Sequence, residues 1–332
     1  MKASLVPLLC CPSCRGDLVL RADEMAAGEI ETGSLRCPGC PREFAVARGV
    51  PRFADQPTLE EARATIARFG RQWKEYKERL LEYRPAFLDW MKPIGEADLA
   101  DQVVLDGGCG MGRFTELAAA MGARAVVGVD LSESVEVAHQ FARERGNLHV
   151  VQADLLDLPF RPAFDLVYTL GVLHHLPSGE DGFRSLVGCV RPGGRIHIWV
   201  YGHEGNEWLL RFVDPVRRAV TSRLPHPALR VLAWLLALPL HGVLAALYRR
   251  ADRLPFPLPY AAYFKWLAGF PFRHTHQVVH DHLGAPIAHY YKREEIAAWF
   301  QRARLADVTL TPRNANSWRG TARVPTDHSP TR

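Results

Sequence analysis

Short β-branched apolar runs alternate with helical stretches through the central third of the chain. The first run, Val103–Asp106, ends in a glycine-rich turn and precedes the amphipathic stretch Arg113–Met121. Runs of the same character follow at Ala125–Asp130, Leu148–Asp154, Phe164–Leu170 and Arg195–Tyr201. Strands that alternate with helices in this way pair in parallel, with helices on both faces of the sheet. The pattern therefore predicts an α/β domain built on a parallel sheet.

Helical patterns also lie on both sides of this alternation. Leu59–Tyr83 carries apolar residues at the spacing of a helix, namely Ile66, Phe69, Trp73, Tyr76 and Leu80. Near the carboxyl end, Lys292–Ala303 predicts an amphipathic helix. Ala306–Thr311 and Trp318–Val324 predict a closing pair of strands.

Glycines and acidic residues stand at the ends of the predicted strands. The turn after the first strand carries Gly108, Gly110 and Gly112, and a ligand can lie against such a backbone because glycine has no Cβ. Asp130 and Asp154 end the next two strands, and an acid after the second strand suits the hydroxyls of a ribose. Each acid also fits the alternative role of a helix N-cap.

Five motifs follow one another here: Asp106-Gly-Gly-Cys-Gly-Met-Gly112, Gly128-Val-Asp-Leu-Ser132, Ala153-Asp154, Leu173-His-His-Leu176 and Val190-Arg-Pro-Gly-Gly194. In this order they resemble the motifs of class I S-adenosylmethionine (SAM)-dependent methyltransferases. The resemblance spans residues 100–202 and, more loosely, 290–324. It implies a Rossmann-like, seven-stranded α/β sheet and SAM as the methyl donor. An NAD-binding Rossmann domain, the rival interpretation, has a different glycine spacing and leaves the paired histidines unexplained.

The resemblance also implies which residues hold the cofactor. They stand at the ends of the first four strands, and are Asp106, Gly108, Gly110, Gly112, Asp130, Leu131, Asp154, Leu155 and Leu170. Asp106 would orient the ammonium group of SAM, Asp130 would bind both ribose hydroxyls, and Asp154 would accept a hydrogen bond from the adenine amino group. We expect the helix that contains Phe69 either to close over the cofactor or to pack on the sheet.

Paired histidines, His174 and His175, follow the fourth predicted strand. Methyl transfer depends on positioning and on removal of the acceptor's proton, and an imidazole has a suitable pKa for a general base. Both histidines are therefore candidate catalytic residues, with His174 slightly preferred. The alternative is that this segment only shapes the pocket.

Four cysteines near the N terminus form two Cys-x-x-Cys pairs, which are Cys11 with Cys14 and Cys37 with Cys40. Two such pairs complete a closed, tetrahedral zinc site of the structural kind. Paired disulfides, the alternative, suit a cytosolic chain poorly. The surrounding segments are Leu9–Leu18, Leu35–Cys40 and Val46–Phe53. They resemble the small zinc-ribbon activator subunit of eukaryotic tRNA and protein methyltransferases, which implies a ribbon fused here to its catalytic domain.

Composition places the chain among globular proteins. Its 332 residues are 48% hydrophobic and 23% charged, with a net charge of +5. That charge permits an anionic partner without demanding one. The N-terminal apolar run is too short for a secretion signal, so we expect a cytoplasmic protein, with association to a membrane surface as a further expectation.

The expected organisation has six segments. They are a zinc ribbon (1–55), a helical linker or cap (56–100), a SAM-binding core (101–202), a helical lid insertion (203–290), a closing helix and strands (291–324) and a tail (325–332). Within the insertion, Val231–Tyr248 is nearly all apolar, and Pro239 predicts that it folds as a helical hairpin. We expect a lid over the acceptor, with contact to a lipid surface or a membrane span as alternatives.

Two classes of methyl acceptor fit these features. The large apolar insertion favours a small molecule, such as a sugar, lipid-linked or secondary-metabolite hydroxyl. The ribbon, the His-His-Leu-Pro segment and Ile196–Tyr201 resemble wobble-uridine tRNA methyltransferases and their activator, and the pI of 8.9 is compatible with tRNA.

Overall fold

A small antiparallel sheet opens the chain. The computed structural model describes residues 1–53, 60–75 and 82–327. The strands of this first sheet pair in sequence order and are β1 (Val19–Ala26), β2 (Glu29–Arg36), β3 (Glu43–Ala47) and β4 (Val50–Pro51). Leu35, Phe44 and Val46 are buried and belong to the same hydrophobic cluster as residues of the main sheet. The small sheet therefore shares a core with the rest of the protein.

A seven-stranded sheet forms the centre of the protein, as the sequence predicts. Its strands are β5 (Val103–Gly107), β6 (Ala125–Asp130), β7 (Leu148–Gln152), β8 (Phe164–Leu170), β9 (Val190–Tyr201), β10 (Ala306–Arg313) and β11 (Ser317–Arg323). Their spatial order is β10-β11-β9-β8-β5-β6-β7. Strands β5 to β9 are parallel, whereas β11 runs antiparallel to β9 and β10 antiparallel to β11.

The strand order reverses between β5 and β8, which are neighbours in the sheet. Every residue of β5 is buried, as expected for a central parallel strand with helices on both faces. In such a sheet, the loops that leave the two strands at the reversal point diverge and open a crevice at their carboxyl ends. This topology places the glycine turn beside the loop that carries the paired histidines.

Helices cover both faces of the sheet and form the insertion. Those outside the insertion are α1 (Glu60–Glu75), α2 (Tyr83–Met91), α3 (Arg113–Ala120), α4 (Val135–Glu144), α5 (Gly179–Val187) and α10 (Arg293–Arg302). Those of the insertion are α6 (Asp214–Ala219), α7 (His226–Ala246), α8 (Ala261–Ala268) and α9 (Phe272–Gly284). The predicted closing helix and final pair of strands are confirmed. Of the predicted helical stripe before the sheet, Tyr76 and Leu80 lie outside the described residues.

Two predictions about local structure are wrong. Residues 231–248 do not form a hairpin, because α7 continues through Pro239. Pro239 lies on the exposed side of the helix, where water can satisfy the carbonyl that loses its N–H partner. The fifth strand of the core also begins at Val190 rather than Arg195, so the Pro-Gly-Gly segment lies within β9 and not before it.

The small N-terminal sheet docks along β7, the edge strand of the large sheet. Phe53 N–H donates to the Gln152 carbonyl at 2.8 Å, and Cys10 N–H donates to the Pro159 carbonyl at 2.9 Å. The Arg15 guanidinium donates to the carbonyls of Leu158 and Phe160. These bonds satisfy backbone groups that an edge strand and its following loop would otherwise expose to solvent or to another chain.

Candidate functional site

The first cavity of the site, here called the strand-end cavity, opens at the carboxyl ends of β5, β6 and β8. Its volume is about 300 Å³. Seven residues predicted from sequence line it, namely Gly108, Asp130, Leu131, Asp154, Leu155, Leu170 and His175. Helix α1 covers this cavity with Thr65, Ile66 and Phe69. The helix that contains Phe69 therefore closes over the site, which was one of its two expected placements.

Asp130 connects the glycine turn to the start of the next loop. One carboxylate oxygen accepts the Gly110 N–H at 2.9 Å, and the other accepts the Ser132 N–H at 2.8 Å and its hydroxyl at 2.7 Å. Burial raises the pKa of Asp130, while these hydrogen bonds act in the opposite direction. The carboxylate faces the strand-end cavity while it holds the two backbone segments in place.

Two positions of the glycine turn lie too close to neighbouring side chains to accept a Cβ. Gly108 has a φ of +80°, and a Cβ at this position would lie 2.5 Å from a methyl group of Val172. Gly112 is the N-cap of α3 with a φ of +82°, and a Cβ there would lie 2.8 Å from that of Ala138. Both positions therefore require glycine for steric reasons.

Three predicted cofactor residues do not line the strand-end cavity. Gly110 and Gly112 lie within the turn, and Asp106 is only 3% exposed at the end of β5. The Asp106 carboxylate accepts the Thr115 hydroxyl at 2.7 Å. Burial raises the pKa of Asp106 to about 7 against the hydrogen bonds from Thr115 and Tyr168. Direct contact between Asp106 and a ligand amine stays a prediction.

A second cavity, here called the aromatic chamber, adjoins the first. Its volume is about 140 Å³, and both cavities are lined by Phe69, Leu170, Gly171 and His175. Aromatic rings from five parts of the chain line the rest, among them Trp90, Phe114, Trp199, Tyr201, Tyr263, Trp266 and Tyr290. Trp90 stacks on Trp199 with ring centroids 5.3 Å apart. The aromatic rings suit a ligand with a flat ring.

Charged and polar side chains also line this chamber. Arg113 and Arg313 line it, and the Arg313 guanidinium lies 4.8 Å from the Trp266 ring centroid. Arg313 also donates to the Asp89 carboxylate at 2.7 Å. The other polar lining residues are Asp281, Gln277, His274 and His282 of α9, together with Asn206, Asn316 and Ser317. The insertion contributes residues of α8 and α9 together with Asn206 and Tyr290, and none of these was predicted as a site residue.

The paired histidines have different surroundings. His175 Nδ1 donates to the Ile287 carbonyl at 2.7 Å, which leaves the Nε2 lone pair on the other side of a neutral ring. Burial lowers the pKa of His175 to about 4. His174 is fully buried, accepts the Tyr201 N–H at 3.3 Å and stacks on the Tyr201 ring at 3.7 Å. Only His175 lines the cavities, whereas the sequence slightly favoured His174.

The four N-terminal cysteines converge as predicted. The sulfur atoms of Cys11, Cys14, Cys37 and Cys40 lie within 4.8 Å of one another. Two close pairs, Cys11 with Cys40 and Cys14 with Cys37, are 3.6 and 3.3 Å apart. Tetrahedral Zn²⁺ with Zn–S bonds of about 2.3 Å needs sulfur atoms about 3.8 Å apart. The donor set therefore fits zinc, and no position remains for a substrate.

Comparison with known proteins agrees with this geometry. Residues 105–198 match the model of a methyltransferase domain, and residues 2–49 match that of Trm112p-like proteins. A ubiquinone biosynthesis O-methyltransferase of Pseudomonas putida is 30% identical over 161 residues, which are 46% of this chain and 68% of that enzyme. The chain belongs to the SAM-dependent methyltransferases. It carries a Trm112p-like zinc ribbon at its N terminus.

Other relatives differ in the acceptor that their names give. A tRNA U34 carboxymethyltransferase of Cellvibrio japonicus is 29% identical over 175 residues, which are 48% of this methyltransferase and 54% of that enzyme. The chain thus spans about half the length of that relative. The solved magnesium protoporphyrin IX methyltransferase of Synechocystis PCC 6803 is 17% identical, with 82% of this chain and 90% of that chain covered and a TM-score of 0.43.

Replacing Cys37 with serine is expected to remove the zinc and to lower thermal stability. Elemental analysis should find one zinc per wild-type chain and none in the variant, because the tetrahedron loses a ligand. The melting temperature should fall for the whole protein, since Cys37 belongs to the hydrophobic cluster that joins the ribbon to the large sheet. Cys10→Ser is the matched control, because Cys10 is buried outside the metal cluster. Equal zinc content in Cys37→Ser and wild type would contradict the assignment.

Proposed function

We propose that this methyltransferase methylates a hydroxyl group on a small, ring-containing acceptor, such as a sugar, a lipid-linked ring or a secondary metabolite. The observation that carries this proposal is the aromatic chamber beside the strand-end cavity. An apolar cavity of about 150 Å³ holds a benzene molecule. The chamber has about 140 Å³, so a single ring of about this size fits it.

The strand-end cavity is the proposed site of the adenosine part of SAM. Asp130 offers carboxylate oxygens to the ribose hydroxyls, and Asp154 offers one to the adenine amino group between the apolar Leu131 and Leu155. Supporting this assignment, the four side chains line one cavity that a helix covers. SAM, when bound, supplies a methyl group that is already activated on a sulfonium.

His175 is the proposed general base. Its ring lines both cavities, and its Nδ1–H is held by the Ile287 carbonyl, so Nε2 is the nitrogen that can take the acceptor's proton. Burial keeps the ring neutral at physiological pH. His174 then acts on the site through its ring contacts with His175 and Tyr201.

A tRNA acceptor is the second candidate. The Trm112p-like ribbon and the relative named as a tRNA U34 carboxymethyltransferase favour it. A single base turned out of its strand is also a flat ring that aromatic side chains can hold. Binding of the surrounding tRNA would then rest on contacts between arginines and phosphates.

The two acceptors are distinguished by following labelled methyl groups from SAM into fractionated cell extract. We expect label in a low-mass or lipid fraction, insensitive to ribonuclease. Transfer to a low-mass acceptor presented in neutral detergent should change less than about threefold between about 50 and 200 mM salt, since contacts inside a buried chamber are little screened. Label in tRNA that falls by a decade or more over this range would overturn the proposal in favour of the second candidate.

A further inference from the structure

Helix α7 exposes an apolar face. Its inward face, formed by Leu229, Ala233, Ala237 and Leu244, is buried, and the helix packs on α9. On the opposite side Val231, Leu235 and Leu238 are 60, 56 and 51% exposed. A helix that is apolar all round is normally buried in a core or in lipid. Yet only 22% of the most apolar window of the segment 226–253 is buried.

Neighbouring segments extend this exposed face. Most of the exposed large apolar side chains of the described chain lie between residues 208 and 260. Besides those of α7 they include Phe212, Val216 and Val220 before the helix and Leu247 and Phe256 after it. We call this surface the α7 face. A concentration of exposed apolar side chains in one part of a protein is typical of an interaction site.

Basic residues stand at both ends of the α7 face. The exposed arginines are Arg211, Arg218, Arg223 and Arg230 on one side and Arg249, Arg250 and Arg253 on the other. Among the exposed residues of 207–253, Glu207 and Asp252 carry the negative charges, and Asp252 pairs with Lys265. The surface therefore combines an apolar centre with a positive rim, which is complementary to anionic phospholipid headgroups over an acyl layer.

We propose that the α7 face docks this methyltransferase on an anionic phospholipid surface, with α7 lying in the plane of the interface. A membrane span would have to separate α7 from α9 and expose the buried inward face. Arginines at both ends of the helix also favour a parallel orientation, because each can reach the headgroups. A second copy of the chain would bring its own arginines against this positive rim, which disfavours self-association.

Aromatic side chains connect the α7 face with the interior of the protein. Trp208 and Tyr260 are each 41% exposed, and their rings lie 6.0 Å apart. Tyr260 contacts Phe264, which contacts Tyr263, and Tyr263 lines the aromatic chamber. Given the proposed function, the short distance between this surface and the chamber favours a lipid-soluble acceptor.

Vesicle flotation of the full-length protein tests the docking. We expect at least about tenfold more protein to float with vesicles of 30% phosphatidylglycerol in phosphatidylcholine than with pure phosphatidylcholine, because the arginines require anionic lipid. Trp234, which is 47% exposed, should be quenched by brominated acyl chains, and Trp234→Phe should reduce that quenching. Equal flotation with both vesicles, or none with either, would overturn the proposal.

A matched pair of variants tests the surface itself. Leu235→Glu with Leu238→Glu should reduce flotation at least about tenfold, since both side chains would carry charge into the acyl layer. Met25→Glu with Val308→Glu makes the same charge change at exposed positions elsewhere and should float like wild type. Light scattering that shows a wild-type dimer split by the α7 pair, without flotation, would identify a second copy as the occupant and overturn the proposal.

The experiments can refute the docking proposal and the proposed function independently. SAM affinity and zinc content, measured on the same preparations, should be unchanged in both double variants. Flotation together with methyl transfer to tRNA would refute the small-molecule acceptor while supporting docking. Methyl transfer to a soluble, low-mass acceptor without flotation would refute docking while supporting the small-molecule acceptor.

Discussion

Replacing His175 with asparagine is expected to lower kcat by about 10²–10⁴-fold, the range for loss of a general base. Asparagine retains a side-chain N–H near the position of Nδ1, so the bond to the Ile287 carbonyl can persist. It has no counterpart of Nε2, the nitrogen that would take the acceptor's proton. Single-turnover transfer from labelled SAM measures the loss, and calorimetry with SAM checks that the cofactor still binds.

His174→Asn is the matched control for this substitution. His174 Nδ1 accepts the Tyr201 N–H, and the amide oxygen of asparagine can accept the same bond. Since His174 is fully buried and lines neither cavity, we expect a smaller loss of kcat than for His175→Asn. A larger loss at position 174 would identify His174 as the base, the residue slightly favoured by the sequence.

The pH dependence provides a second check on the base. Burial lowers the pKa of His175 to about 4, and the ring is active as a base when it is neutral. As pH rises, kcat/KM should therefore increase through about pH 4 and be flat above about pH 6. A histidine with an ordinary pKa would lose half of its neutral form near pH 6.5. A profile with its midpoint near pH 6.5 in the folded enzyme would contradict this assignment.

The parallel core and the strand-end cavity could be predicted because their signals are local. The buried residues of β5, the glycine turn after it and the acid at the end of β6 are each recognisable from a short stretch of sequence. Convergence of the four cysteines also follows from two short motifs. Once strands alternate with helices, topology alone brings the carboxyl ends of β5, β6 and β8 together.

The aromatic chamber could not be predicted because its walls are distant in sequence. Trp90, Trp199, Trp266 and Arg313 belong to four separate elements, and each resembles an ordinary core or surface residue when considered alone. The apolar stretch of the insertion gave a misleading signal, since Pro239 normally ends a helix and α7 tolerates it on its exposed side. Such features depend on packing between elements that no local pattern encodes.

The largest expected effect on cofactor binding comes from Asp130→Ala. Hydrogen bonds to a charged group contribute about 1.5–3 kcal/mol, so the Kd for SAM should rise by about 10- to 150-fold. Part of the loss in SAM affinity would come from a displaced glycine turn, because Asp130 also accepts hydrogen bonds from the backbone N–H groups of Gly110 and Ser132. Titration calorimetry with SAM and with S-adenosylhomocysteine measures it.

Two further variants separate contact with the cofactor from support of the turn. Ser132→Ala removes the hydroxyl that donates to Asp130 at 2.7 Å but leaves the carboxylate in the strand-end cavity, so we expect a smaller loss of affinity than for Asp130→Ala. Asp157→Ala is the control for charge, because Asp157 is exposed and does not line the cavity, and its Kd should equal that of wild type. An unchanged Kd in a folded Asp130→Ala variant would remove Asp130 from the cofactor site. Equal losses in Asp130→Ala and Ser132→Ala would instead contradict the Asp130 carboxylate as the stronger cofactor contact, since both side chains line the strand-end cavity.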